Sequence, residues 1–301
     1  SDILEIEPEH KLAMHLRGII LIEEFRSPEA LNQFEEKLAL YANDPVTLHN
    51  ISKLYFISNR QKALEYAQKA VEVERQLYRQ DNQYTYSPVF EEWERAVKEF
   101  DTKFKEDPAA ASLEMEEYFS VEPALMIEVC KMALESSKIS DSQNIQKLLE
   151  KVGLLYTELG MNEEAVDAYK RLIEMSPEYG RGYVLLANRL AKLDKFEYLK
   201  ELNVQMQSQQ KMVAEKNIVD ILMQYDRGET DEAIERLQIM NVDEYNIFIF
   251  HNMGILCEHI GNKEKAIEYY NKALDYSDED YEFWQADRKS TRLNSSHHQV
   301  S

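Results

Sequence analysis

Residues that cross-link chains or interrupt helices are scarce in this sequence. Its 301 residues include 2 cysteines, 8 glycines and 7 prolines. Two cysteines cannot build a disulfide framework, and their scarcity favours a reducing compartment, so we expect a cytoplasmic protein, although periplasmic repeat proteins share this composition. Few glycines and prolines leave little turn chemistry for a many-stranded sheet protein. The abundant Leu, Glu, Lys and Ala instead favour α-helices.

Positive charge is also in short supply. Lysine and arginine total 35 against 56 aspartates and glutamates, which gives a formal net charge of -21. A surface of this sign does not collect phosphates, which excludes a general nucleic-acid-binding role and argues against docking on an anionic membrane. No apolar run approaches the roughly 18–20 residues that cross a bilayer, so we expect no membrane insertion within this sequence.

Both ends of the sequence differ from the rest. Residues 1–8 have the pattern of a last helical turn closed by a proline, which predicts that more chain precedes them. From Asp287 the composition changes from acidic to basic and Ser-rich, and residues 287–297 resemble a translated sequencing-library adapter. The alternative is a basic, flexible tail. We therefore treat 287–301 as a non-native tail and leave it out of the fold prediction.

An internal repeat dominates the second half of the chain. Gly228 and Ala233 precede Gly261 and Ala266 by 33 residues. Four further pairs of equivalent residues lie 101 positions apart, close to three times 34: Gly153 and Gly254, Gly160 and Gly261, Ala165 and Ala266, and Tyr169 and Tyr270. A fixed period near 34 is typical of a helical solenoid built from stacked helix pairs.

The chemistry of one repeat follows from this spacing. The first helix of the pair, helix A, needs a small residue where the second helix, helix B, crosses it, and Gly153 fills that position. Gly160 then ends helix A in a left-handed turn. Helix B begins with acidic residues that suit the positive end of its dipole. Ala165 and Tyr169 follow on one face of helix B, four residues apart.

These features resemble the tetratricopeptide repeat family. Units 146–179 and 247–280 match its pattern of small, aromatic and Ala positions well, whereas units 180–213 and 214–246 keep fewer of those positions. The resemblance implies an all-α fold, a right-handed superhelical solenoid of antiparallel helix pairs with about five to seven units. We therefore predict a tetratricopeptide array over 146–286.

The first half of the chain departs further from the pattern. Residues 1–77 predict divergent helix pairs of the same kind, with Gly18, Ala30 and Phe34 at repeat positions. Residues 78–145 predict either divergent repeats or a helical insert, and we place a candidate domain boundary there. Within that span we expect helices over roughly 90–105, 109–119 and 123–138.

Catalytic and metal-binding patterns are missing from the sequence. It has no Gly-rich phosphate loop, no serine in a nucleophile elbow and no zinc motif, so we predict no enzyme, no cofactor and no metal. Cys130 and Cys257 lie on apolar helix faces and are expected in the core. Four histidines are interpreted as partly exposed polar positions: His15, His49, His251 and His259. Of these, His251 and His259 lie too far apart on one helix to share a metal ion.

The family resemblance also implies a binding surface. In tetratricopeptide proteins helix A lines a concave groove, and fixed positions of that helix contact the ligand. The matching residues here are Arg181, Val184, Asn188, Lys192, Ile218, Leu222, Tyr225, Phe248, His251, Ile255 and His259. They predict a small polar-cationic patch beside an apolar stretch. The alternative is that the apolar members pack against the solenoid's own next turn.

These observations favour a non-enzymatic scaffold that binds a protein or peptide segment in the groove. The alternative is a sensory or docking arm of a larger regulator or enzyme, whose functional domain lies outside residues 1–286. A self-contained enzyme is a third interpretation, which needs a clustered nucleophile and base that the sequence does not show.

Overall fold

The computed structural model describes residues 7–81, 83–136, 142–207, 212–240 and 246–275, apart from the side chains of 225, 226, 246–248, 259, 274 and 275. The described residues form α-helices joined by short turns and contain no strand. The chain divides into two compact units, Ser1–Asn144 and Ile145–Ser301. The predicted all-α fold is therefore confirmed. The 287–301 tail lies outside the described residues.

The N-terminal unit contains seven α-helices among its described residues. They are α1 (Lys11–Glu23), α2 (Ser27–Leu40), α3 (Pro45–Ser58), α4 (Arg60–Gln80), α5 (Val89–Glu106), α6 (Pro108–Leu113) and α7 (Pro123–Leu134). A short 3-10 helix, Glu114–Glu117, follows α6. Helices α1 and α2 form one antiparallel pair and α3 and α4 the next, with α1 and α3 as helix A of each pair.

The C-terminal unit contains eight α-helices among its described residues. They are α8 (Ser142–Glu158), α9 (Asn162–Met175), α10 (Gly180–Lys192), α11 (Phe196–Met206), α12 (Val213–Asp226), α13 (Thr230–Ile239), α14 (Asn246–His259) and α15 (Lys263–Asp275). Helix α8 begins just before the boundary between the two units. Helices α8, α10, α12 and α14 are helix A of four successive repeats, and the helix that follows each is helix B.

The turn between helix A and helix B repeats the same backbone conformation in every described pair except α3–α4, where Asn59 is extended with φ of -151°. Gly160, Gly228 and Gly261 have φ of 72, 80 and 76°, in the left-handed region that glycine adopts without steric cost. The equivalent turn residues of two other pairs are Phe25 and Asp194, and they also have positive φ, 57 and 54°. The left-handed turn therefore forms in two pairs whose sequence lacks glycine at this position, whereas the α3–α4 pair is joined without it.

The predicted crossing of helix A and helix B is also present. A Cβ added at Gly153 would lie inside 3.0 Å of the Tyr169 ring, closer than real Cβ atoms approach. The same overlap arises between Gly254 and Tyr270 and, in the N-terminal unit, between Gly18 and the Phe34 ring. A glycine on helix A thus lets an aromatic ring of helix B lie against the backbone, and this contact recurs in both units.

Helix α7 fills the helix-A side of the N-terminal unit. It contacts α1 and α3, the two A helices, as well as α6. Eight of its twelve residues are buried, among them Met126, Ile127 and Cys130. Just before α7, both carboxylate oxygens of Glu122 accept hydrogen bonds from Lys53 Nζ of α3, at 2.9 and 3.1 Å. This ion pair is buried, with side-chain exposures of 7% for Lys53 and 4% for Glu122.

An aromatic cluster anchors α5 to the preceding helix pair. Trp93 is fully buried, and its Nε1–H donates to Ser52 Oγ of α3 at 2.7 Å. Phe56 packs against Trp93 and against Phe100, with ring centroids 5.2 and 4.8 Å apart. The helix predicted over 90–105 is therefore confirmed, and its apolar face is buried as its spacing indicates.

Of the two histidines predicted to be partly exposed in this unit, His15 is half-buried, as predicted, whereas His49 is buried. His49 is buried between the rings of Phe90 and Trp93, at centroid distances of 5.4 and 5.7 Å. Burial, and secondarily the charge of Lys53, lowers the pKa of His49 from 6.5 to about 3. The interpretation of His49 as a partly exposed residue was wrong, since its ring serves as an aromatic core group. His15 is half-buried beside Phe34, and burial lowers the pKa of its imidazole.

Candidate functional site: the helix-A face of the C-terminal unit

The candidate site is the face of the C-terminal unit formed by its A helices. Helix α10 contacts α12, the A helix of the next repeat, and also α14, the A helix two repeats along. Helix α12 contacts α14 as well. Successive A helices therefore lie together on one side of the unit, as the repeat pattern predicts, and the contact between α10 and α14 brings that side into close packing.

The first predicted cation on this face, Arg181, is already paired. Its Nε–H donates to Glu150 Oε1 of α8 at 2.7 Å, and the Tyr179 hydroxyl donates to Glu150 Oε2 at 2.6 Å. Both charged side chains are mostly buried, with exposures of 23% and 17%. Arg181 and Glu150 therefore join two neighbouring A helices, and the charge of Arg181 is largely neutralised. The second cation, Lys192, is half-buried at the end of α10.

Most of the predicted apolar groove residues are buried within the unit. Each is at most 7% exposed: Val184, Ile218, Leu222 and Ile255. The predicted alternative, packing of these residues within the solenoid itself, therefore describes their present environment. Their contact with a partner stays a prediction. The side chains of Tyr225, Phe248 and His259 lie outside the described residues.

A second histidine prediction is corrected on this face. His251 is 2% exposed and its ring lies 5.6 Å from that of Tyr270, so it is a packed core histidine and not a partly exposed polar residue. Tyr270, the aromatic residue four positions after Ala266 on helix B, therefore packs against His251. The sequence around a single histidine in an apolar helix does not indicate whether the imidazole ring is buried or exposed.

Two buried amides stand out on the A helices. Asn188 is 2% exposed and Asn252 is fully buried. Neither the side-chain nitrogen nor the side-chain oxygen of either residue has a hydrogen-bond partner among the described residues. Buried amides are normally hydrogen-bonded because desolvation of an unpaired polar group costs about 1–3 kcal/mol. Asn188 was predicted as a groove residue, whereas Asn252 was not, although it interrupts an apolar stretch of α14.

The described residues contain no group of three or more His, Cys, Asp or Glu side chains placed to hold a metal ion. Cys130 and Cys257 are both buried, as predicted, and burial raises the pKa of the Cys257 thiol. A raised pKa keeps the thiol protonated and unreactive at neutral pH. Among the helices that the structure describes, none is long and apolar enough to cross a membrane.

The family comparison decides what these helix pairs are. The tetratricopeptide repeat model matches residues 147–179 and 249–280, which are the α8–α9 and α14–α15 pairs with their glycine–tyrosine crossings. These two helix pairs are tetratricopeptide repeats. Proteins of this family are generally non-enzymatic, and their stacked repeats serve as protein-interaction scaffolds.

Solved structures similar to this chain share little sequence with it. MamA is 19% identical over 54% of this chain and 92% of its own, with a TM-score of 0.35. TTC0263, a thermophilic tetratricopeptide protein of Thermus thermophilus, is 17% identical over 62% and 98%, with a TM-score of 0.38. YrrB, a tetratricopeptide protein with an unusual peptide-binding site, is 16% identical over 85% and 97%, with a TM-score of 0.29. No curated protein sequence matches the chain.

Proposed function

We propose that this protein is a non-enzymatic scaffold that binds a protein or peptide segment along the helix-A face of its C-terminal unit. The family supports protein binding in general. Asn188 is the observation that carries the finer proposal, because its whole side-chain amide is buried on that face without a hydrogen-bond partner among the described residues.

An asparagine amide is suited to a peptide main chain. Its nitrogen donates to a backbone carbonyl and its oxygen accepts from a backbone N–H, so one peptide unit satisfies both atoms. Such a pair of hydrogen bonds would recover the desolvation cost that the unpaired amide carries in the unliganded fold. Recognition through the main chain tolerates many sequences and fits a scaffold that binds an extended segment.

The apolar residues beside Asn188 set the condition for binding. Val184 and Ile218 are fully buried, and α10 contacts both α12 and α14. In this proposal, a segment reaches these side chains when the A helices separate slightly along the superhelix. Arg181 contributes little attraction for an acidic partner because Glu150 already holds its guanidinium. We therefore expect affinity from main-chain hydrogen bonds and apolar contacts more than from charge.

The test uses peptides selected from a random library for binding to the full chain. Asn188→Leu removes the amide while keeping a side chain of similar size. We expect it to weaken the dissociation constant for the selected peptides at least tenfold, since about 1.4 kcal/mol corresponds to a factor of ten. Binding is measured by fluorescence anisotropy with the peptides labelled.

The matched control is Asn252→Leu, which replaces the other buried, unpartnered amide of the unit. Both variants remove an unsatisfied polar group, so both should keep or increase thermal stability. Affinity should change less than twofold in Asn252→Leu. Equal dissociation constants for the parent and Asn188→Leu would show that the segment binds elsewhere, and a library that yields no binder would reject the proposal.

A further inference from the structure

A second surface lies on the helix-B side of the C-terminal unit, away from the predicted groove positions. A cleft of about 210 Å³ opens between α9, α10 and α11. Its floor is apolar and consists of buried side chains, among them Ile173, Leu190 and Leu202. Its rim includes Glu174 of α9 and Tyr198 and Glu201 of α11. We call these residues the helix-B cleft.

The size of the helix-B cleft limits what it can hold. Pockets for drug-sized ligands and cofactors have volumes of about 300–1,000 Å³ and enclose most of the ligand surface. A cleft of about 210 Å³ with an open mouth is too small for such a molecule. It suits one large side chain that projects from a partner.

The rim of the cleft carries an exposed aromatic side chain. Tyr198 lines the cleft and is 48% exposed. An exposed aromatic side chain beside a small apolar pocket is typical of protein-binding surfaces, where one buried anchor contributes most of the affinity.

The charges on the rim favour a cationic partner. Neither Glu174 nor Glu201 has a cation within ion-pair distance among the described residues. The one cation of the cleft, Lys170, has its ammonium 4.8 Å from the centre of the Tyr198 ring, which positions it over the aromatic face. The whole chain carries a net charge of -21, so basic segments are attracted at long range.

We propose that the helix-B cleft binds one large apolar side chain of a partner protein segment that carries lysine or arginine on both sides of it. The apolar side chain occupies the floor above Leu190 and Leu202. The flanking cations approach the carboxylates of Glu174 and Glu201. This proposal is independent of the helix-A face, because the two surfaces share no residue and each has its own variants.

The experiment uses the full chain and a pentapeptide with one tryptophan between two pairs of lysines. We expect this peptide to bind at least tenfold more tightly than the same peptide with glycine in place of tryptophan. We also expect it to shift the NMR methyl signals of Leu190 and Leu202. The double variant Glu174→Lys/Glu201→Lys should weaken binding of the tryptophan peptide at least tenfold.

The matched control is Glu232→Lys/Glu235→Lys, which makes the same charge change at two exposed positions of α13, a B helix of another repeat. This control should change the dissociation constant less than threefold. Equal losses in the two double variants would mean non-specific attraction to an acidic chain and would overturn the proposal. Equal binding of the tryptophan and glycine peptides, or unshifted methyl signals of Leu190 and Leu202, would overturn it as well.

Discussion

The two units use the same helix pair but differ in what lies on their A helices. In the N-terminal unit, α7 packs against α1 and α3, and the buried ion pair of Lys53 and Glu122 fixes its start. In the C-terminal unit, the A helices pack against one another, and Asn188 remains buried without a hydrogen-bond partner among the described residues. The A helices of the N-terminal unit also carry buried polar atoms without a hydrogen-bond partner among the described residues, Nδ1 of His49 and Nδ2 of Asn50, so the difference between the units lies in the helix that covers the face.

This difference shows how a repeat fold separates stability from binding. A face covered by the chain's own helix adds apolar burial, and its polar groups can be paired once and permanently. Unpaired buried polar atoms lower the stability of either face, and in Asn188 both amide atoms lack a partner among the described residues whereas in Asn50 only Nδ2 does. Because α7 covers the A helices of the N-terminal unit, the binding face that we propose is that of the C-terminal unit.

The largest effect is expected from disrupting the buried ion pair beside α7 in the N-terminal unit. Glu122→Gln leaves the Lys53 ammonium buried without a counter-charge, and removing one partner of a buried ion pair costs about 3–5 kcal/mol. We expect that loss in urea unfolding followed by the fluorescence of Trp93, which lies in the same unit. The double variant Lys53→Met/Glu122→Leu should be within about 1 kcal/mol of the parent, because apolar side chains replace the pair.

The matching change in the C-terminal unit is Glu150→Gln, which affects a less buried ion pair with Arg181. Water screens this pair in part, so its loss should cost clearly less than that of Glu122. Equal losses in free energy of unfolding would contradict the difference in burial between the two faces.

A smaller effect is expected at the crossing of a glycine and an aromatic ring, which both units contain. Gly18→Ala and Gly153→Ala each place a Cβ against the ring of Phe34 or Tyr169, and overpacking of this kind costs about 1–3 kcal/mol. We expect similar losses in both units by thermal and urea unfolding. Adding Tyr169→Leu to Gly153→Ala should recover part of the loss, and a failure to recover would mean that the backbone, not the ring, resists the added Cβ.

The pH dependence of stability is a further expected difference, because His49 lies in the N-terminal unit. Because the pKa of His49 is about 3 in the folded state and 6.5 when exposed, the unfolded state binds a proton first as the pH falls. Stability is therefore complete above pH 6.5 and decreases below it, by about 2 kcal/mol at pH 5, since one pH unit corresponds to about 1.4 kcal/mol. Urea unfolding of the parent and of His49→Phe at pH 6.5 and pH 5 measures this loss of stability. If His49→Phe loses as much stability as the parent between the two pH values, the prediction is contradicted.

The smallest effect tests the left-handed turns. Asp194 has φ of 54°, which costs most L-residues about 1–2 kcal/mol, although Asp tolerates it better than most. Asp194→Gly removes that strain but adds freedom to the unfolded chain, so we expect a net gain below about 1 kcal/mol. Asp194→Val should lose stability, because a β-branched residue disfavours positive φ. If the valine variant melts at the parental temperature, the turn has changed its conformation.

Local features of the sequence predicted the repeats accurately. The glycines that end helix A, the glycine at the crossing and the aromatic residue of helix B are each specified within one 34-residue unit. Gly160 and Tyr169 therefore could be interpreted without a structure. Phe25 and Asp194 could not, because a left-handed conformation at a residue other than glycine has no sequence signal beyond its place in the repeat.

Exposure on the A helices was harder to predict. The predicted groove residues Val184, Ile218 and Ile255 are buried because α10 contacts helices one and two repeats away. His49 is a core residue because two aromatic rings of α5 lie against it, whereas the ring beside His251 is that of Tyr270 in the same repeat. Helical periodicity fixes which residues share a face, but it does not state what lies opposite that face.

The sequence by itself determined the helical class, the 34-residue period, the glycine turns and the absence of a disulfide framework, because each depends on composition or on neighbours within one repeat. The tertiary structure decided that α7 covers the A helices of the N-terminal unit, that Lys53 pairs with Glu122 across 69 positions, and that Asn188 stays unpaired among the described residues. Such contacts join distant segments, and their energies depend on burial and geometry that arise when the helices pack.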